Sequence, residues 1–86
     1  MKRLVVIAKP FAPYQKILVY ENGNKIDGIE IRQSELGNGL FGLAEKYQID
    51  NVDLTGPKQY VRGLVTQFEQ LELNKYNKNS ISFKVI

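Results

Sequence analysis

Apolar and polar positions divide this chain into stretches of period two and stretches of helical period. Residues 3–8 contain Leu4-Val5-Val6-Ile7-Ala8, a run that reads as a buried strand. Lys9-Pro10-Phe11-Ala12-Pro13-Tyr14 breaks it, because two prolines cannot both sit inside a ladder. Lys16-Ile17-Leu18-Val19-Tyr20-Glu21 is the second strand, and Asn22-Gly23-Asn24 is a hairpin turn of residues that tolerate positive φ. Residues 25–32 return as the third strand, with Ile29 and Ile31 on one face and Gly28, Glu30 and Arg32 on the other.

The pattern then changes. After the glycine-punctuated segment Ser34 to Gly39, in which Ser34 or Asn38 could cap a helix, Leu40, Leu43, Ala44 and Tyr47 recur at helical spacing. Ile49-Asp50-Asn51 ends that helix and leads into a short strand, Val52-Asp53-Leu54. Gly56-Pro57 opens a second helix, with Pro57 suited to its first position and Val61, Leu64, Val65, Phe68 and Leu71 forming its apolar stripe. Asn74 to Asn79 reads as a polar loop, and Ser80 to Ile86 as a last strand in which Ile81, Phe83 and Val85 alternate with Ser82 and Lys84.

This βββαβαβ order predicts an α/β fold. Three antiparallel strands and two right-handed crossovers give a mixed five-stranded sheet of order 3-2-1-4-5, with both helices on one face and the second strand antiparallel to the rest. A ferredoxin-like or other α+β sandwich would need a different order of elements. The length of 86 residues is that of one domain, residues 1–86, with no internal repeat or linker.

Composition removes several chemistries. There is no Cys, hence no disulfide and no thiolate metal site, and a small domain without disulfides points to a reducing, cytoplasmic setting. There is no His, the commonest general base and metal ligand. The apolar run near the start is too short for a signal-peptide core or a membrane span, so no membrane partner is expected. Twelve basic and 9 acidic residues give a formal charge of +3, which permits contact with nucleic acid without demanding it.

The order of elements resembles the ribonuclease H-like superfamily, which includes nucleases and the halves of actin-like ATPases, over nearly the whole chain. The resemblance implies the fold above. It does not carry over the activity. Nucleases of that superfamily hold an Asp in the middle of the first strand and a second acid near the end of the fourth. Here the first strand has no acid, the first acid of the chain is Glu21, and Asp53 stands alone on the fourth strand. One carboxylate cannot hold the paired divalent metals of that chemistry. The Asp-Gly-rich phosphate loop of the actin-like branch is missing too.

Lys2, Arg3, Lys9 and Lys16 cluster near the start of the first two strands, and Lys2, Arg3, Lys9, Lys58 and Arg62 are the candidate phosphate-contacting residues, weighed against ordinary solvated charge. Lys58 and Arg62 are one helical turn apart. Phe11, Tyr14 and Tyr20 could stack on bases, or cover a core edge. Thr55-Gly56-Pro57 could offer amides to an anion, but lacks the glycines of a phosphate loop and reads as a tight connection. The first two strands are apolar on both faces although the helices can cover only one. That predicts cover by the proline loop or by a second subunit, with Leu4, Val6, Phe11, Tyr14, Ile17 and Val19 as candidate interface residues. The expectation is a non-catalytic binding protein without metal or cofactor. It would be a protein–protein or self-associating accessory or inhibitor module, of a size seen in mobile elements, bound to another protein or to a second copy of itself. The alternatives are a nucleic-acid-binding protein and a degenerate ribonuclease H-like nuclease.

Overall fold

The computed structural model describes residues 1–86. Its elements are β1 (Lys2–Ile7), β2 (Tyr14–Glu21), β3 (Asn24–Arg32), a 3-10 turn (Gln33–Glu35), α1 (Leu36–Tyr47), β4 (Asn51–Thr55), α2 (Lys58–Leu71), a π-helical turn (Glu72–Tyr76) and β5 (Ser82–Val85). The strands form one mixed sheet in the order β3-β2-β1-β4-β5. β2 is antiparallel to β1 and β3, whereas β4 is parallel to β1 and to β5. This is the expected topology. No helix is long and apolar enough to cross a membrane.

The core lies between one sheet face and the two helices. Leu4 and Val6 of β1, Ile17 and Val19 of β2, and Val52 and Leu54 of β4 are fully buried there against Leu40, Leu43, Val61, Leu64 and Phe68. The Phe68 ring lies against Phe83 of β5, with centroids 5.8 Å apart. The opposite sheet face carries no helix.

Several boundaries differ from the sequence expectation, each for a local reason. β2 begins at Tyr14 because Gln15, fully buried, pins the proline loop: its amide accepts from the Lys9 N–H (2.6 Å) and donates to the Lys9 and Ala12 carbonyls (2.7 and 3.2 Å). α1 begins at Leu36 and has no side-chain cap, so neither Ser34 nor Asn38 plays that part. Asn38 sits inside the helix and accepts from Lys75 Nζ at 2.8 Å. The glycines that suggested a loop there instead allow close packing. A Cβ at Gly39 would lie 2.5 Å from Ile31 Cδ1, and one at Gly37 2.6 Å from Leu71 Cδ2, so α1 lies tightly on both sheet and α2.

Helical structure continues past α2 through Tyr76, shortening the expected 74–79 loop, and Asn77 ends it in the left-handed region at φ 51°. Glu72 organises the chain beyond this turn. Its Oε2 accepts from Ser80 N, Ser80 Oγ and Ile81 N at 3.2 Å each, holding the segment that leads into β5. The last strand is accordingly shorter than expected and begins at Ser82.

Candidate functional site

Strand parity assigns the side chains of the open face. Arg3, Val5 and Ile7 of β1 alternate with the buried Leu4 and Val6. By the same rule Tyr14, Lys16, Leu18 and Tyr20 of β2, Asp53 of β4 and Lys84 of β5 share this face. On β3, Gly28, Glu30 and Arg32 belong to it. One extra β3 residue, Ile26, then stands opposite the Val19–Tyr20 step. The bulge re-aims the strand so that Lys25 also reaches the open face, where its Cε lies beside Gly28 and Leu18. Asp27 points to the helix side, where its carboxylate accepts from the Tyr47 hydroxyl. That bond, then the Gly28 N–H, holds the Asp27 pKa below its ordinary value, and the same contact raises that of Tyr47.

At the centre of the face, Val5, Ile7, Leu18 and Tyr20 make an apolar ribbon across β1 and β2, with Val5 opposite Leu18 in the ladder. All four are half-buried. A shallow depression lies at each end of the ribbon. One is formed by Arg3, Val5, Tyr20 and the Asn22-Gly23 turn, the other by Ile7, Tyr14, Lys16 and the Lys9–Pro13 loop.

Charge is unevenly distributed between the two sides of the molecule. Five of the 12 basic residues (Arg3, Lys16, Lys25, Arg32 and Lys84) and two of the 9 acidic residues (Glu30 and Asp53) lie on the open face, so the rest of the molecule holds seven of each. The strands of the open face thus carry a formal +3, and Lys9 stands at their rim. Arg3 Nη1 lies 2.6 Å from Asp53 Oδ2, and Asp53 is buried beneath it. Asp53 thus meets a guanidinium and not a second carboxylate.

The candidate residues read from the sequence separate in space. Leu4, Val6, Ile17 and Val19 are buried beneath the helices and cannot line an interface of the folded domain, because their parity is that of the core. Tyr14 remains on the open face at 45% exposure. Phe11 is fully exposed, so the proline loop rims the face without covering it. Of the five basic candidates Arg3 is on the open face, and Lys9 stands at its rim, lining one depression with Ile7, Tyr14 and Lys16. Lys2 lies near Glu21 (Nζ to Oε2, 3.8 Å) and donates to the Tyr47 carbonyl, Lys9 follows β1, and Lys58 and Arg62 are exposed on α2, in the other layer. These five do not form one surface. Lys25, Arg32 and Lys84 were not picked out from the sequence, and Lys16 only as a neighbour of Lys2, Arg3 and Lys9. Their signal was present: the strand face that carries charge is the one that meets water.

Thr55-Gly56-Pro57 is a tight connection. Gly56 adopts φ 150°, and a Cβ there would lie 2.6 Å from the Ala8 carbonyl oxygen. A further concavity of about 330 Å³ lies among Phe41, Ile49, Glu72, Tyr76, Lys78 and Ser80. Glu72 is the one buried charge there. One of its oxygens is committed to the Ser80–Ile81 segment and the other is sealed from solvent without a donor, so this side chain serves to hold the loop.

No protein-family model matches the chain, and no curated protein and no solved structure matches it.

Proposed function

We propose that this is a small non-catalytic binding protein whose working surface is the open face of its sheet. The observation that carries this reading is the apolar ribbon Val5, Ile7, Leu18 and Tyr20, set among five basic residues on a face that no helix covers. An apolar centre ringed by charge is the anatomy of a recognition surface. The Arg3–Asp53 pair supports the same reading over a degenerate nuclease, since the acid on β4 is already neutralised. The cysteine-free composition supports a reducing, cytoplasmic setting.

A second copy of the chain suits the face less well than a different partner. Face-to-face pairing would set one formal +3 against another. The ribbon side chains are already half-buried, so the apolar area left to cover is well short of the ~800 Å² each partner gives to a standard interface. The ribonuclease H-like order of elements serves here as a scaffold for the face.

Wild-type protein and Leu18→Glu, each immobilised and exposed to extract of the native host, test the proposal. The wild type is expected to retain a protein or nucleic acid that the variant loses, with both giving the same circular dichroism. Equal retention by two equally folded proteins would overturn it.

A further inference from the structure

We infer that the occupant of the open face is a single-stranded polynucleotide, stacked on Tyr14 and Tyr20 and held at its phosphates by Lys16, Lys25, Arg32 and Lys84. This rests on the open face being the working surface, and it names what that surface takes.

The register of the sheet is the first argument. Tyr14 stands directly opposite Arg32 on β3. Tyr20 stands opposite Lys25 on β3 and opposite Arg3 on β1. Each aromatic ring of the face thus has a cation beside it on a neighbouring strand, and Lys16 lies between the two on β2 itself. A base needs a flat apolar surface to stack on, and the phosphate joined to it needs a positive charge within one side-chain length. The ladder supplies that pairing twice, about 20 Å apart at the rise of an antiparallel strand.

Charge complementarity is the second argument. The strands of the face carry a formal +3, with Lys9 at the rim adding to it. An anionic occupant is attracted to this face. Three of the cations have acidic neighbours: Arg3 is paired with Asp53, Lys84 stands opposite the same Asp53, and Lys16 stands opposite Glu30. Lys25, Arg32 and Lys84 have no salt-bridge partner and are exposed.

Shape decides between single strand and duplex. The face is a sheet surface with two shallow depressions, not a projecting helix or ribbon that could enter a groove. Duplex bases are closed to stacking from the side, whereas the bases of a single strand can turn onto Tyr14, Tyr20 and the ribbon between them.

Fluorescence anisotropy with labelled oligo(dT) and oligo(U) of about 12 nucleotides, and with a duplex of the same length, reads the outcome. Both single strands are expected to bind more tightly than the duplex. With about four phosphates neutralised, log affinity should fall against log salt with a slope near −3. Tyr14→Ala and Tyr20→Leu should each weaken binding about 5- to 100-fold, the loss of one stacked base. Lys58→Glu with Arg62→Glu on the opposite layer should leave it unchanged. Should Tyr20→Leu fail to fold, Arg32→Glu with Lys84→Glu, both at exposed positions, should weaken binding at least as much. Binding that survives the tyrosine and Arg32/Lys84 variants but is lost on the α2 variant would overturn the inference. So would no binding of either oligonucleotide at low salt. If Leu18→Glu meanwhile loses a protein that the wild type retains from host extract, the open face stands as the working surface and only its nucleic-acid occupant falls.

Discussion

Leu4 and Val6 are closed off beneath two helices, while Arg3, Val5 and Ile7, their neighbours on the same strand, lie on the face that no helix reaches. The two sides of β1 differ little in hydrophobicity around positions 4–7, yet one is sealed and the other half-open. The difference comes from the strands on either side. On the core face, β2 and β4 offer Ile17, Val19, Val52 and Leu54. On the open face they offer Leu18 and Tyr20, but with them Lys16, Asp53 and Thr55. A single strand therefore does not reveal which of its faces is buried. The charges of the strands paired with it do.

Four substitutions and one truncation of a polar tie put that contrast to work, beginning with the strongest. Val6→Lys places a charge where no water and no carboxylate can reach it, at a residue with no exposed surface. An unpaired buried charge costs at least several kcal/mol, comparable with the whole stability of a domain this small. The purified variant is expected to show no cooperative thermal transition. A folded Val6→Lys would mean that the two faces are assigned the wrong way round.

Phe68→Ala empties the core on the helix side. Phe68 is 3% exposed and packs on Phe83, so the loss should be about 3–5 kcal/mol by urea denaturation. A change below about 1 kcal/mol would be incompatible with that packing. Gln15→Ala acts at the junction of the two faces. It removes three hydrogen bonds that tie the proline loop, and about 1–3 kcal/mol should go with them because the loop backbone can turn to water. The loop should also become the first site of limited proteolysis, and an unchanged cleavage pattern would speak against the tie.

Much of this architecture was legible beforehand. The element order, the sheet order and the α2 stripe follow from period and handedness, which are local signals backed by one topological rule. The α1 start was not legible, because Gly37 and Gly39 look like loop residues until the side chains of Leu71 and Ile31 are seen to need their space. The π-helical turn was not legible either. Asn74 inside the turn and Asn77 just after it are poor evidence for helix, and the carboxylate that organises the turn lies at Glu72 and acts on residues eight and nine positions away. As for the candidate site, the basic residues picked for their closeness in sequence were dispersed by folding. Lys58 and Arg62 went to the helix layer, while Lys25 and Lys84, far apart in the chain, came to one face.

The contrast between faces also has a pH signature, at the edge strand where Asp27, next to the bulge, points toward the helices. The Tyr47 hydroxyl and the Gly28 N–H lower the Asp27 pKa from 3.8, so their contribution is present above that value and is lost as pH falls through the lower folded-state value. Tyr47 is raised above 10.0, so its contribution is present below about pH 10 and is lost as pH rises through the higher value. Tyr47→Phe should lower the melting temperature slightly at neutral pH. The gap to wild type should close once pH drops below the Asp27 titration. A gap of constant size from neutral to strongly acid solution would show that the bond contributes nothing through ionisation.

Val5→Lys should have the smallest effect of all, although it makes the same chemical change as Val6→Lys one residue away. Val5 is half-buried, and its Cα partner on β4 is Asp53, whose carboxylate is shared with Arg3 alone. A lysine there keeps an aliphatic stem along Leu18 and Ile7 and carries its ammonium to water or toward Asp53. What is lost is the contact of one partly covered branched side chain and some strand preference, about 1 kcal/mol or less. Urea midpoints within that margin of wild type, set beside the collapse of Val6→Lys, would assign the faces by experiment. A loss of several kcal/mol at position 5 would mean that the proline loop or another part of the chain covers the ribbon in solution, and the face would then be a second core and not a working surface.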